Sequence, residues 1–187
     1  MQRLPAIDPA VATGKAKTLL DGVQAKLGLM PNITRTMSNS PAVLDAYLGF
    51  SGGLAKGALP AKLREQIALV VAEANGCGYC LAVHTAIGKA QGLTDSEMLD
   101  SRRGGAEDLK TAAALGFAGK VVRERARVTD QDVAALRHVG YGDGEIAEIV
   151  ANVALNVFTN YFNHVAGTEV DFPAVPALSA GASCSCG

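Results

Sequence analysis

The stretch REQIALVVAEANGCGYCLAVH, residues 64–84, predicts two helices joined by a tight break. Its first half, together with the preceding Leu63, has apolar residues at helical spacing, which indicates one buried helix face: Leu63, Ile67, Val70 and Val71. Asn75-Gly76 is a suitable helix stop because both residue types tolerate the left-handed conformation that ends many helices. Cys77 is then expected to open the second helix.

The remainder of the chain also indicates helices rather than strands. Breaks fall at Gly, Pro and Asn, and β-branched residues rarely alternate with polar ones. Three start signals support helix boundaries: Ser40 before Pro41, Thr94 with Glu97, and Thr129 with Asp132. We predict an all-α, multi-helix bundle with helices near residues 9–27, 41–56, 61–75, 77–91, 95–103, 106–126, 130–139 and 143–166.

Length and composition suggest one domain followed by a tail. With 187 residues, the chain can bury a hydrophobic core without cross-links. We assign residues 1–171 to a single helical domain. The segment 172–187 is rich in Pro, Ala, Ser and Gly and ends in a Cys-x-Cys pair, Cys184 and Cys186, so we expect a flexible tail. Electron relay, metal binding and no function at all are open roles for that pair.

Charge and hydropathy exclude several classes of partner. The chain has 17 basic and 18 acidic residues, a net charge of -1, which offers no electrostatic attraction for nucleic acid or an anionic membrane. Its longest apolar run, Ile67 to Ala72, is far shorter than the roughly 18 residues that a membrane span needs. The first ten residues lack the apolar core of a signal peptide. We therefore expect a cytoplasmic protein, in which Cys-x-x-Cys pairs are more often catalytic or metal-binding than structural.

Two cysteines and one histidine share a face of the second predicted helix. At 100° per residue, Cys77, Cys80 and His84 lie within about 60° of one another around the axis. A thiol at a helix N-terminus can have its pKa lowered from about 8.5 to roughly 3.5–7.5. Side chains three residues apart are close enough for a disulfide after modest adjustment. Because that bridge would close a very small loop, reversible redox chemistry explains it better than stability does.

The same stretch closely resembles the signature of the alkylhydroperoxidase AhpD-like group within the carboxymuconolactone decarboxylase superfamily. That signature consists of a glutamate, then Cys-x-x-Cys, then a histidine four residues on. The resemblance extends to MPNITRTMSNSPAVLDAY before the site and NVALNVFTNYFNHVAGTEVDFP after it. It implies an all-helical AhpD-like fold and a homo-oligomer, commonly a trimer or a multiple of three.

Catalytic roles follow from this resemblance. The proton relay corresponds to Glu65, Cys77, Cys80 and His84, with Cys80 as the attacking thiol and Cys77 as the resolving thiol. Glu65 would orient His84, and His84 would take the proton of Cys80. The reverse order of the two cysteines would follow if Cys77 had the lower pKa. Tyr79 occupies a position where some members have a second histidine, so a proton role there is in doubt.

Other interpretations of the same residues remain open. Glu65 could be a solvated surface acid, and Glu73, four residues before Cys77, competes for its role. The cysteines could be inert core residues, since free cysteine is often buried. They could also bind zinc together with His84 and a fourth ligand, for which Cys184, Cys186 and Glu65 are the candidates.

An offset of 80 residues pairs Glu65 with Glu145 and His84 with His164. The cysteine positions then become Val157 and Asn160. This pattern raises the hypothesis of a duplicated helical unit whose second copy lost its thiols.

Together these observations predict a dithiol peroxidase or disulfide reductase that uses no bound cofactor and no metal. Its expected partners are a hydroperoxide substrate and an external dithiol reductant protein. The alternatives are a non-redox enzyme of the carboxymuconolactone decarboxylase type and a zinc-binding interaction module.

Overall fold

Every regular element in residues 2–176 and 178, the part of the chain that this computed structural model describes, is an α-helix. The all-α prediction is therefore confirmed. The helices in chain order are α1 (Gly14–Leu27), α2 (Asn32–Met37), α3 (Pro41–Leu54), α4 (Ala61–Ala74), α5 (Gly78–Ala90), α6 (Asp95–Arg102), α7 (Leu109–Arg123), α8 (Asp130–His138) and α9 (Asp143–Ala166).

Helix α4 lies at the centre of the bundle, in contact with α5, α6, α7 and α9. All its residues from Gln66 to Ala72 are buried, so in this segment burial extends around the helix rather than along the single face that the sequence predicted. One side, with Ile67 and Val71, joins a core cluster formed with α7 and α9. The other side, with Leu69, packs in a second cluster that contains the two cysteines. The thiols therefore lie against hydrophobic core.

The break between α4 and α5 has the geometry that its residues predict. Gly76 is left-handed, with φ of 63°. The Gly76 N–H donates to the carbonyl of Glu73 at 3.1 Å, and the Cys77 N–H donates to that of Ala72 at 2.9 Å. This pair of bonds is the Schellman arrangement that terminates many helices. Helix α5 starts at Gly78, with Cys77 as its N-cap residue, one position later than predicted.

The three predicted start signals are confirmed. The Ser40 hydroxyl accepts the Val43 N–H at the start of α3, where Pro41 is the first helical residue. Thr94 and Glu97 form a reciprocal capping box on α6, and Thr129 and Asp132 form one on α8. Each cap satisfies backbone N–H groups that have no partner within the helix.

Two predicted helices are too long. The first begins at Gly14 rather than at residue 9, because Asp8 holds the chain in a turn through its bonds to the N–H groups of Ala10, Val11 and Ala12. The helix predicted at 106–126 spans only Leu109–Arg123. Asp108 caps its start, and left-handed backbone at residues 125 and 126 ends it.

Sequence reasoning missed α2. Its six residues are too few for a helical period to stand out from a loop. Four of them are buried: Ile33, Thr34, Thr36 and Met37. Tertiary burial rather than local pattern thus stabilises this helix.

The hypothesis of a duplicated helical unit is wrong. Glu65 and His84 lie on two helices separated by a sharp break, whereas Glu145 and His164 lie on the single unbroken helix α9. Glu145 serves as an N-terminal capping residue, with its carboxylate 2.8 Å from the Gly142 N–H. The equal spacings of residues 65–84 and 145–164 therefore do not reflect the same arrangement of helices.

No helix in the described part of the chain is long and apolar enough to cross a membrane.

Acid should weaken the packing of α8 through Asp132. A hydrogen bond from Lys120 and a further bond from the Thr129 backbone lower the pKa of Asp132 from 3.8 to about 2. A depressed folded-state pKa gives stability that is present above the unfolded pKa and is lost as the pH falls through the folded value. We expect Asp132→Asn to flatten the fall in urea midpoint between about pH 4 and pH 2. If the urea midpoints of the wild-type and Asp132→Asn proteins fall equally steeply over this pH range, the expectation is contradicted.

Candidate active site

The two cysteines meet at the N-terminus of α5. The structure joins Cys77 and Cys80 by a disulfide, with their Cα atoms 5.3 Å apart. The Cys77 sulfur also caps the helix, because it accepts the Cys80 backbone N–H at 3.2 Å. Both residues are only 2% exposed. A sulfur in this position faces the positive end of the helix dipole, which favours a thiolate when the bridge is reduced.

Glu65 on α4 and His84 on α5 form a hydrogen-bonded pair. The Glu65 Oε2 and the His84 Nδ1 are 2.8 Å apart, and the two side chains are 18% and 20% exposed. An ionised carboxylate only accepts hydrogen bonds, so Nδ1 carries the hydrogen and Nε2 remains as the basic nitrogen. The structure thus brings together the acid and the imidazole that the sequence singled out.

Tyr47 on α3 is near enough for the charge of Glu65 to act on its phenol, and sequence reasoning missed it. Burial and then the negative charge of Glu65 raise the pKa of its phenol. The phenol therefore stays protonated in the neutral range and can donate a hydrogen bond. Its position 18 residues before Glu65, on another helix, leaves no local spacing that could have identified it.

Glu73, the competing acid, has a different partner. Its carboxylate accepts a hydrogen bond from Arg102 Nε at 2.7 Å, and the Arg102 side chain is 7% exposed. The sharp break at Gly76 separates the helix that carries Glu73 from the one that carries the thiols, as the sequence suggested. Glu73 therefore neutralises a buried cation rather than serving the histidine.

A row of buried polar residues lies along one face of α9: Asn152, Asn156, Thr159, Asn160 and Asn163. The last of these touches the site directly, because Asn163 Nδ2 donates to the Cys80 sulfur at 3.3 Å. Nearby, Asn75 Nδ2 donates to Asn160 Oδ1 at 3.0 Å. Sequence reasoning missed this row, although asparagines spaced three and four apart along an apolar helix are unusual enough to have signalled it.

Tyr79, between the two cysteines, is a packing residue. Its hydroxyl accepts the Ile33 N–H at 3.2 Å, and burial raises the pKa of its phenol. The ring of Phe172 packs edge-on against it, with ring centres 6.5 Å apart. Asp171 then accepts the Asn32 N–H at 2.6 Å. These contacts tie the start of the C-terminal segment to α2 and α5.

The four-ligand zinc arrangement is incomplete in the described residues. Among residues 2–176 and 178, no group of three His, Cys, Asp or Glu side chains is placed to hold a metal ion. Of the three candidates for a fourth ligand, Glu65 is hydrogen-bonded to His84, while Cys184 and Cys186 lie outside the described residues.

The division of the chain into a helical domain, residues 1–171, and a flexible tail, residues 172–187, stays a prediction.

One cavity in the described part of the chain is not lined by the thiols. It has a volume of about 930 Å³ and opens between α4, α6 and the start of α7, with Gln66, Asp100, Lys110 and Tyr141 in its wall. None of the four residues singled out from the sequence is among the described residues that line it.

Comparison with known proteins finds one family model and several solved structures to which the chain is similar. Residues 41–124 match the carboxymuconolactone decarboxylase family. The fold is similar to the alkylhydroperoxidase AhpD core of an uncharacterized peroxidase-related protein from Ralstonia eutropha JMP134. That pair is 26% identical with a TM-score of 0.82, over 91% of this chain and 92% of the other. A search of curated proteins found no matching sequence.

Two further structures are similar. An uncharacterized peroxidase-related protein from Silicibacter sp. TM1040 is 26% identical over 89% of both chains, with a TM-score of 0.79. The debrominase Bmp8, in complex with 2,3,4-tribromopyrrole, is 20% identical over 91% of this chain and 92% of its own, with a TM-score of 0.78. At that identity the likeness to the debrominase concerns the fold alone.

Proposed function

We propose that this chain, which is similar to the carboxymuconolactone decarboxylase family over residues 41–124 and to two peroxidase-related structures, is an AhpD-like dithiol oxidoreductase that reduces hydrogen peroxide or organic hydroperoxides. The observation that carries the proposal is the 2.8 Å hydrogen bond between Glu65 on α4 and His84 on α5, the helix that begins at the Cys77–Cys80 pair. A nucleophile, a base and a residue that orients the base are the parts that such chemistry needs.

The first step oxidises Cys80. His84 takes the thiol proton, and the thiolate attacks the hydroxyl oxygen of the hydroperoxide. A sulfur–oxygen bond forms as the oxygen–oxygen bond breaks, so the sulfur becomes a sulfenic acid. The leaving oxygen receives the proton back from His84 and departs as an alcohol, or as water from hydrogen peroxide.

The second step forms the disulfide. The Cys77 thiolate attacks the Cys80 sulfur, a sulfur–sulfur bond replaces the sulfur–oxygen bond, and the hydroxyl group leaves as water with the proton that Cys77 gave up. The N-cap position of Cys77 supports this role, since the Cys80 N–H would stabilise its thiolate. The oxidised product is the disulfide that the structure contains.

A complete cycle needs an outside source of two electrons. We propose an external dithiol protein, which exchanges with the Cys77–Cys80 disulfide and leaves with a disulfide of its own. A cytoplasmic setting suits this cycle because thiols are kept reduced there.

The chain is further proposed to assemble as a homo-oligomer, a trimer or a multiple of three. Support comes from exposed large apolar residues along one side of α9: Val150, Phe158, Tyr161 and Val165. Exposed apolar patches of this kind are typical of protein interfaces. Sedimentation equilibrium should give a mass of at least three times the 19.2 kDa of one chain, and a monomer mass would contradict the proposal.

The alternatives receive less support. A non-redox enzyme of the decarboxylase type gives the paired cysteines no role, and a zinc-binding module needs ligands that the described residues do not bring together. Neither alternative explains the bond between Glu65 and His84.

The proposed activity is tested by following hydrogen peroxide and cumene hydroperoxide in the presence of dithiothreitol. We expect saturable consumption that is proportional to enzyme concentration, with one dithiothreitol oxidised to its disulfide per hydroperoxide consumed and one alcohol formed per cumene hydroperoxide. Consumption no faster than that caused by dithiothreitol alone, for both peroxides and after prior reduction of the protein, would contradict the proposal.

A further inference from the structure

Asn163 places a carboxamide against the sulfur that the proposed reaction oxidises. Its Nδ2 donates to Cys80 at 3.3 Å, and the residue is 5% exposed. It comes from α9, 83 residues away in sequence, so the contact depends on helix packing. An amide N–H bonded to a disulfide sulfur is a weak interaction. The same N–H bonded to a thiolate is charge-assisted and roughly twice as strong as a neutral bond.

The other end of the same carboxamide lacks a partner. Asn163 Oδ1 is buried and accepts no hydrogen bond from any residue in the described part of the chain. A buried carbonyl without a donor destabilises the folded protein, so such groups are rare in proteins and often have a function. Here the free carbonyl belongs to a side chain whose other end contacts the reacting sulfur.

The other asparagines of the row make no recorded contact with the sulfur, although Asn160 also has one buried polar atom, Nδ2, without a partner in the described residues. Asn156 Nδ2 donates to the Asn152 carbonyl at 2.8 Å, a bond within α9 itself. Asn160 accepts a bond from Asn75, in the turn before the thiols. Asn163 is therefore the member of the row that contacts the reacting sulfur of Cys80.

We propose that Asn163 is a catalytic residue that binds both the Cys80 thiolate and the hydroxyl group of the hydroperoxide. Its Nδ2–H stabilises the thiolate, and its Oδ1 accepts the O–H of the oxygen under attack. That oxygen keeps its hydrogen when it moves to the sulfur, so the same carbonyl then accepts the O–H of the Cys80 sulfenic acid. This inference rests on the proposed peroxidase function and adds the group that recognises the substrate.

The thiolate part is tested by titration, without any peroxide. The chain has four cysteines, so a background of Cys77→Ser, Cys184→Ser and Cys186→Ser leaves Cys80 as the only thiol. In that background the rate of iodoacetamide alkylation against pH reports the Cys80 pKa. We expect Asn163→Ala to raise that pKa by about one unit, since it removes a charge-assisted bond.

Asn156→Ala is the matched control, because it removes a buried asparagine from the same face without touching the sulfur. It should leave the alkylation profile unchanged. Should Asn163→Ala fail to fold, Asn163→Leu keeps the side-chain volume while removing both polar atoms. An alkylation profile identical to that of the parent protein in the Asn163 variants would overturn the proposal.

The substrate part is tested in the protein with all four cysteines. We expect Asn163→Ala to lower kcat/KM for hydrogen peroxide at least about tenfold, even at a pH where Cys80 is fully ionised. An unchanged value at that pH would overturn the role of Oδ1. A wild-type protein that consumes no peroxide, but whose Cys80 pKa still depends on Asn163, would refute the proposed function while leaving the thiolate contact established.

Discussion

Replacing Cys80 by serine is expected to lower the turnover of hydrogen peroxide by at least about 10³-fold, because the attacking sulfur is lost and a hydroxyl is a far weaker nucleophile at neutral pH. The substitution is nearly isosteric, so the fold should survive. Peroxide consumption in the presence of dithiothreitol, at matched protein concentrations, measures the effect.

Cys77→Ser should behave differently. The first oxidation still proceeds, but no second thiol of the pair resolves the sulfenic acid. We expect one rapid turnover, followed by an intermediate on Cys80 that dimedone traps and that mass spectrometry locates. If the trapped intermediate instead appears on Cys77 in the Cys80→Ser protein, the two cysteines have the reverse roles.

The tail cysteines supply the control for both variants. Cys184→Ser and Cys186→Ser remove the same chemical group at positions outside the described residues. Turnover within about twofold of wild type in these variants, together with a large loss in Cys80→Ser, would assign the activity to the pair on α5. Equal turnover in all five proteins would contradict the dithiol mechanism.

The second large effect concerns the Glu65–His84 pair. General acid–base groups typically contribute about 10²–10⁴-fold to a rate, and we expect His84→Gln to lower kcat/KM by about 10². Glu65→Gln should have a comparable effect, because the imidazole loses the carboxylate 2.8 Å away that orients it.

A double-mutant cycle on kcat/KM tests whether Glu65 and His84 act together or independently. If Glu65 acts only through His84, the Glu65→Gln, His84→Gln protein should be no slower than the slower single variant. Additive losses would show that Glu65 acts on something else, for which the nearby Tyr47 phenol is the first candidate. Thermal unfolding of all three variants should show that each one folds.

Much of this site is predictable from the amino-acid sequence because its signals are local. The Asn75-Gly76 stop, the start of a helix at the first cysteine and the shared face of Cys80 and His84 depend on residues a few positions apart. Helical hydrogen bonds and side-chain spacing operate over that range. The family signature added the link to Glu65, which sequence spacing alone left undecided.

Errors arose where local signals were short or misleading. Helix α2 has only six residues, and its burial rather than its period stabilises it. The apparent repeat between residues 65–84 and 145–164 rests on equal spacings alone, whereas in the structure the second segment is one continuous helix.

The amino-acid sequence by itself determined the helical class, the break before the thiols and the position of both cysteines at a helix N-terminus. Only the tertiary structure decided which acid meets the histidine, since Glu65 bonds to His84 while Glu73 is held by Arg102. It also decided that Asn163 reaches the Cys80 sulfur. The physical reason is that a helix is specified by contacts within one turn, whereas partners on different helices depend on how whole helices pack against one another.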